Sequence, residues 1–111
     1  MEIKIKKWLF DIKTSIENIE NYIGSDKSFE IYEANPMLQD AVERNIEIIG
    51  EAVNKILQIQ PEIEITNSRR IVDARNKIIH GYDEIESTQI WGIVMIHLPI
   101  LKKEVERLLE N

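Results

Sequence analysis

The sequence predicts an all-α fold: an antiparallel bundle of four main helices plus one short helical turn. Three observations lead there. Apolar residues recur at spacings of three and four along nearly the whole chain. No segment alternates apolar and polar residues as a half-buried strand does. Capping residues and helix breakers separate the periodic runs. At 111 residues the chain forms one domain, residues 1–111, because two cores would each be too small to be stable.

The elements follow in order. Ile5, Trp8, Ile12, Ile16, Ile19 and Ile23 mark a first helix, and Gly24 supplies its stop. SFEIYEA, residues 28–34, is the short helical turn. Asn35 and Pro36 take the N-cap and first positions of a long helix carrying Leu38, Val42, Ile46, Ile49, Val53 and Ile56 on one face, with Pro61 beyond its end. Thr66, Asn67 or Ser68 caps a third main helix holding Ile71, Ala74 and Ile78. It ends near His80, with Gly81 following as the left-handed residue. Ser87 caps a last helix that reaches about Leu109 and bends near Pro99, where a backbone donor is missing.

Composition narrows the function. The chain has no cysteine, which excludes disulfides, thiolate nucleophiles and cysteine-held zinc. The longest apolar run, IWGIVMIHLPIL, is too short to span a bilayer, and Asp11 and Lys13 interrupt any leader-like stretch near the start. We expect a soluble, cytoplasmic protein with no membrane association. A net charge of −6 disfavours general nucleic-acid binding. One segment runs against that balance: SRRIVDARNK, residues 68–77, carries three Arg and one Lys against a single Asp, the pattern of a local anion site.

Within that basic helix, RNKIIHGY (residues 75–82) holds the chemistry. At about 100° per residue, Arg75 falls on the apolar side between Ile71 and Ile78, where a cation needs a carboxylate, a phosphate or a partner chain. His80 falls about 140° further round, with Arg69, Asp73 and Asn76. Asn76 lies one turn before His80 and can hold one ring nitrogen. Arg75 and His80 converge only if the helix stops before His80 or a second copy supplies one of them. A fixed cation beside an imidazole suits phosphodiester chemistry. The plainer reading is a histidine favoured by the helix dipole and an arginine in a structural ion pair.

Other candidates are weaker. Asp40, Glu43, Glu47 and Glu51 form a carboxylate stripe, but no Glu-x-x-His partner accompanies it, so a solvated or interface face is expected and no metal or cofactor. Gly50, inside the long helix, should cost about 1 kcal/mol relative to alanine. It is explained by close approach of a second helix, expected across a dimer, with one stripe carboxylate pairing with a motif-region arginine. His97 shares a spacing with Ile90, Ile93 and Ile100 and is expected in the core or an interface, as are Trp8 and Trp91. No serine has the surroundings of a hydrolase nucleophile, and there is no Gly-rich phosphate loop.

RNKIIHGY resembles the Rx4HxY motif of the HepT-like branch of the HEPN superfamily. Arg75, the four residues to His80, the single residue to Tyr82, and Asn76 all match. LQDAVERNIEIIGEA (38–52) and the IWGIVMIHLPILKKEVERLL ending resemble the rest of that family. The connection PEIEITNSRR departs from it by its length and by lacking an aromatic residue before the motif helix. The resemblance implies a HEPN-like fold and a metal-independent endoribonuclease toxin acting as a homodimer on an RNA substrate. Arg75 and His80 would form the active-site pair; with no metal-ligand cluster in the sequence, the ribose 2′-OH is the expected nucleophile. It further implies an MntA-like nucleotidyltransferase antitoxin that places AMP on Tyr82. The alternative is a non-catalytic partner that binds a nucleotidyltransferase or a nucleotide through the same motif.

Overall fold

A computed structural model describes residues 1–81 and 85–110. The elements are α1 (Ile3–Ile23), α2 (Phe29–Glu33), α3 (Pro36–Ile59), α4 (Ser68–His80), α5 (Ser87–Gly92), a π-helical turn (Ile93–His97) and α6 (Leu98–Glu110). There is no strand among the described residues, and the architecture is the expected helical bundle. None of the described helices is long and apolar enough to cross a membrane.

Each helix begins and ends where its sequence allows. Gly24, at φ 74°, closes α1 and donates its N–H to the Glu20 carbonyl. Ser28 Oγ accepts from the Ile31 N–H at 3.3 Å to start α2, and Asn35 Oδ1 accepts from the Leu38 N–H at 3.1 Å to start α3. Gly81, at φ 63°, closes α4.

The core is built from one stripe on each long helix. Ile5, Leu9, Ile12, Ile16 and Ile19 of α1 meet Val42, Ile46, Ile49, Val53 and Ile56 of α3, all essentially inaccessible to water. Burying each such side chain stabilises the fold by about 1.5–3 kcal/mol before entropy is counted. Leu9, not Trp8, completes the α1 stripe; Trp8 is only partly buried and borders a surface groove. Trp91 packs as expected, with Phe29 at 5.8 Å and Tyr32 at 5.4 Å between ring centroids. One buried polar contact joins the two long helices: Asn45 Oδ1 accepts from Asn18 Nδ2 at 3.3 Å, while Asn45 Nδ2 donates to the Ala41 carbonyl at 2.9 Å.

Two tethers position α4. Its middle packs on α3. Its start is tied to α6, where the Glu104 carboxylate accepts from the Thr66 N–H at 3.1 Å and from Thr66 Oγ1 at 2.7 Å.

The last helix holds a feature beyond the expected one: the winding loosens just before Pro99, and the Leu98 N–H donates to the Ile93 carbonyl five residues back. The wider turn leaves room for the proline ring, which in a continuous α-helix would press on a carbonyl of the preceding turn.

Candidate active site

The seam between α3 and α4 is closest at Gly50. A Cβ built there would stand 2.3 Å from Arg75 Cβ, 2.9 Å from Arg75 Cγ and 3.2 Å from the Ile71 carbonyl oxygen. Only a residue without a side chain lets α4 lie this close. The expected close approach is therefore real, but the approaching helix belongs to the same chain, which corrects the expectation of a contact across a dimer.

Arg75 crosses that seam and ends against Glu51. Its Nη2 donates to Glu51 Oε2, and its Nη1 donates to Asn76 Oδ1 at 2.9 Å. The buried Nε–H has no acceptor among the described residues, so protein partners satisfy only part of the guanidinium's donor set. Lys55 Nζ lies 3.7 Å from the second Glu51 oxygen. Arg75 is 23% exposed and Glu51 39%, so the pair opens onto the surface. It borders a groove of about 360 Å³ between α1, α3 and α4, with Trp8, Glu47 and Ile79 among its walls. The carboxylate stripe is thus no uniform solvated face, because its last member holds the motif arginine. Glu43, beside Asp40 and Glu47, is pushed above the usual carboxylate range by burial first and by those two charges second.

His80 is the last residue of α4 and is exposed. Because the helix continues through it, Arg75 and His80 leave α4 on sides about 140° apart and about 7.5 Å apart along the axis. The first route to convergence, a helix that stops early, is closed. Within one chain the structure does not bring the two side chains together on one face. Asn76 Oδ1 accepts from the Arg75 guanidinium. Tyr82 lies outside the described residues. Among the described residues no group of three or more His, Asp or Glu is disposed to hold a metal ion.

A second groove, of about 640 Å³, runs along the other side of α4, between it and the α5–π segment. Arg69, Arg70, Asp73 and Lys77 line it from α4, and His97 faces them from the π turn. Asn67 Nδ2 lies 3.4 Å from His97 Nδ1, within hydrogen-bond distance. Burial first, and the Arg70 charge second, hold His97 below its ordinary value. His97, expected in the core or an interface, is only partly buried and lines this groove beside Ile93 and Ile96.

The comparisons with known proteins agree on one family. Residues 12–108 match the family model described as HepT-like, ribonuclease HepT-like. A candidate RNase of Methanocaldococcus jannaschii is 31% identical over 108 residues, covering 96% of this chain and 92% of that protein. A candidate ribonuclease HepT of Thermococcus cleftensis is 35% identical over 107 residues, covering 93% of this chain and 94% of that protein. No solved structure matches the chain.

Proposed function

This chain belongs to the HepT-like family, and from that premise we propose that it is a ribonuclease toxin whose active site is completed by two copies of the chain. Arg75 and His80 are its catalytic residues. The ribose 2′-oxygen attacks the adjacent phosphorus, and the bond from phosphorus to the 5′-oxygen breaks. A cyclic 2′,3′-phosphate and a free 5′-hydroxyl result. His80 moves the proton between the two oxygens, and Arg75 stabilises charge on the phosphorane.

One observation carries this reading: the Arg75 guanidinium is held at a groove wall by Glu51 and Asn76, across a seam that only Gly50 permits. A guanidinium so positioned presents a fixed fork to a phosphate at little further entropy cost. The 140° separation from His80 supports a shared site, with Arg75 of one copy meeting His80 of its twin.

Complementation tests this. Arg75→Ala and His80→Ala are each expected to abolish cleavage alone. Mixed as a heterodimer they should regain up to about half of wild-type activity, since one of the two composite sites is then intact. Recovery absent from a verified heterodimer would refute the shared site. Substituting 2′-deoxyribose at the cleaved position should stop the reaction, because the nucleophile is gone.

Regulation follows in the same reading. An MntA-like nucleotidyltransferase antitoxin transfers AMP from ATP to the Tyr82 phenol oxygen with loss of pyrophosphate. Each added nucleotide sets an anion beside the phosphate site and repels substrate. A mass gain in AMP units that disappears in Tyr82→Phe is the expected signature on co-expression. A second reading, a non-catalytic partner of the nucleotidyltransferase, draws support from the Arg75 charge already being matched by Glu51. It predicts no growth arrest by the chain alone, whereas the nuclease reading predicts arrest that His80→Ala relieves.

A further inference from the structure

The groove between α4 and the π turn has a composition that folding does not explain. Arg69 and Arg70 occupy the first turn of α4, where the helix dipole disfavours cations, and no acidic residue accompanies them there. Among the described residues no salt bridge engages Arg69, Arg70 or Lys77, although the chain as a whole carries a net charge of −6. Among the described residues Asp73 is the single carboxylate lining the groove. Three cations gathered against one carboxylate among the described residues, in an acidic protein, form a local positive field.

The shape adds direction. Arg69, Lys77 and His80 fall within about 80° of one another around α4, and the groove's cations span about 12 Å of the helix. A strand laid along this face passes from the groove to His80. Thr88 and Gln89 line the groove's far side, offering a hydroxyl and an amide to sugar or base, and His97 adds an imidazole.

We propose that this groove is a second contact for single-stranded RNA, in which Arg69, Arg70 and Lys77 hold backbone phosphates a few nucleotides from the one that is cut. The proposal rests on the ribonuclease reading for its substrate class but places the contact outside the Arg75 groove. An extended strand of phosphates fits a row of cations along a helix, and arginine forks grip phosphate in pairs of hydrogen bonds.

The test uses the full chain carrying His80→Ala and a fluorescein-labelled single-stranded oligoribonucleotide, with anisotropy read across a salt series. Adding Arg69→Ala, Arg70→Ala and Lys77→Ala should weaken binding at least about tenfold. It should also lower the salt slope by about two, since each phosphate contact on a single strand contributes about 0.7. Replacing the exposed Lys4, Lys6 and Lys103 by alanine should leave both unchanged. Where the triple variant loses helicity by circular dichroism, Lys77→Ala alone carries the test, with an expected slope change of about 0.7. An unchanged slope in a folded variant overturns the proposal, while cleavage by the wild-type chain would still stand. Unchanged RNA binding together with lost binding of the nucleotidyltransferase would assign the groove to a protein partner and equally overturn it. Absence of cleavage by the wild-type chain, with RNA binding still dependent on these three residues, would refute the nuclease reading and keep the groove.

Discussion

The two sides of α4 carry the same residue type in opposite circumstances. On the inner side Arg75 is matched by Glu51, bonded to Asn76 and pressed against Gly50. On the outer side Arg69 and Arg70 line an open groove, and no ion pair among the described residues holds them. The inner arginine is positioned by packing, and among the described residues no ion pair fixes the outer ones. One helix therefore combines a rigid, single-geometry cation with a compliant cationic row, the division expected between a group that meets a reacting phosphate and groups that only retain a strand.

The largest effect should come from closing the inner seam. Gly50→Ala places a methyl group 2.3 Å from Arg75 Cβ, so α4 must shift, at an expected cost of about 1–3 kcal/mol by denaturant unfolding. RNA cleavage should fall with it. If stability and cleavage are both unchanged, the seam is looser than the contrast between the two sides requires.

Glu51→Ala removes the carboxylate partner and leaves the guanidinium with Asn76. Because both members of the pair are partly exposed, the stability loss should be about 1 kcal/mol or less. The larger consequence is for cleavage, since Arg75 loses its fixed pose. Should Glu51→Ala cut RNA faster, Glu51 competes with substrate for Arg75 rather than orienting it. The outer tether is weaker still. Glu104→Ala breaks the bonds to the Thr66 N–H and hydroxyl and should cost about 0.5–1 kcal/mol, with increased amide exchange at the start of α4.

The smallest effect is a pH dependence on the outer side. His97 is held below its ordinary value, so the folded chain binds that proton less readily than the unfolded chain. Its contribution is complete above the unfolded value near 6.5. It is lost as pH falls through the depressed folded value. His97→Gln should flatten stability across that window, and a slope retained in the variant would move the effect to another group.

Much of this arrangement was legible from residues alone, for identifiable reasons. The long helices follow from stripes such as Val42, Ile46, Ile49, Val53 and Ile56, because a 3.6-residue period leaves few alternatives over that length. Gly50 was informative because glycine inside a helix is costly without a close neighbour. Whether that neighbour came from the same chain or another is invisible to local pattern, since both present an identical surface to the glycine. Trp8 and Leu9 could each complete the first stripe, and packing selected Leu9. The π turn at 93–97 was not legible, because a change of hydrogen-bond step from four residues to five leaves no compositional mark. The proposed pairing of Arg75 with His80 would be a property of two copies, which one chain's periodicity does not encode.

The π turn has a consequence for the length of the last helix. A turn of this kind takes up one residue more than an α turn, so removing one residue from 93–97 can restore regular winding while α5 and α6 keep their facings. Pro99 stands in the way, because regular winding drives its ring into the turn before it. The deletion should therefore be accommodated together with Pro99→Ala and resisted without it, making the loop of slack and the proline a matched pair that is lost or kept as one.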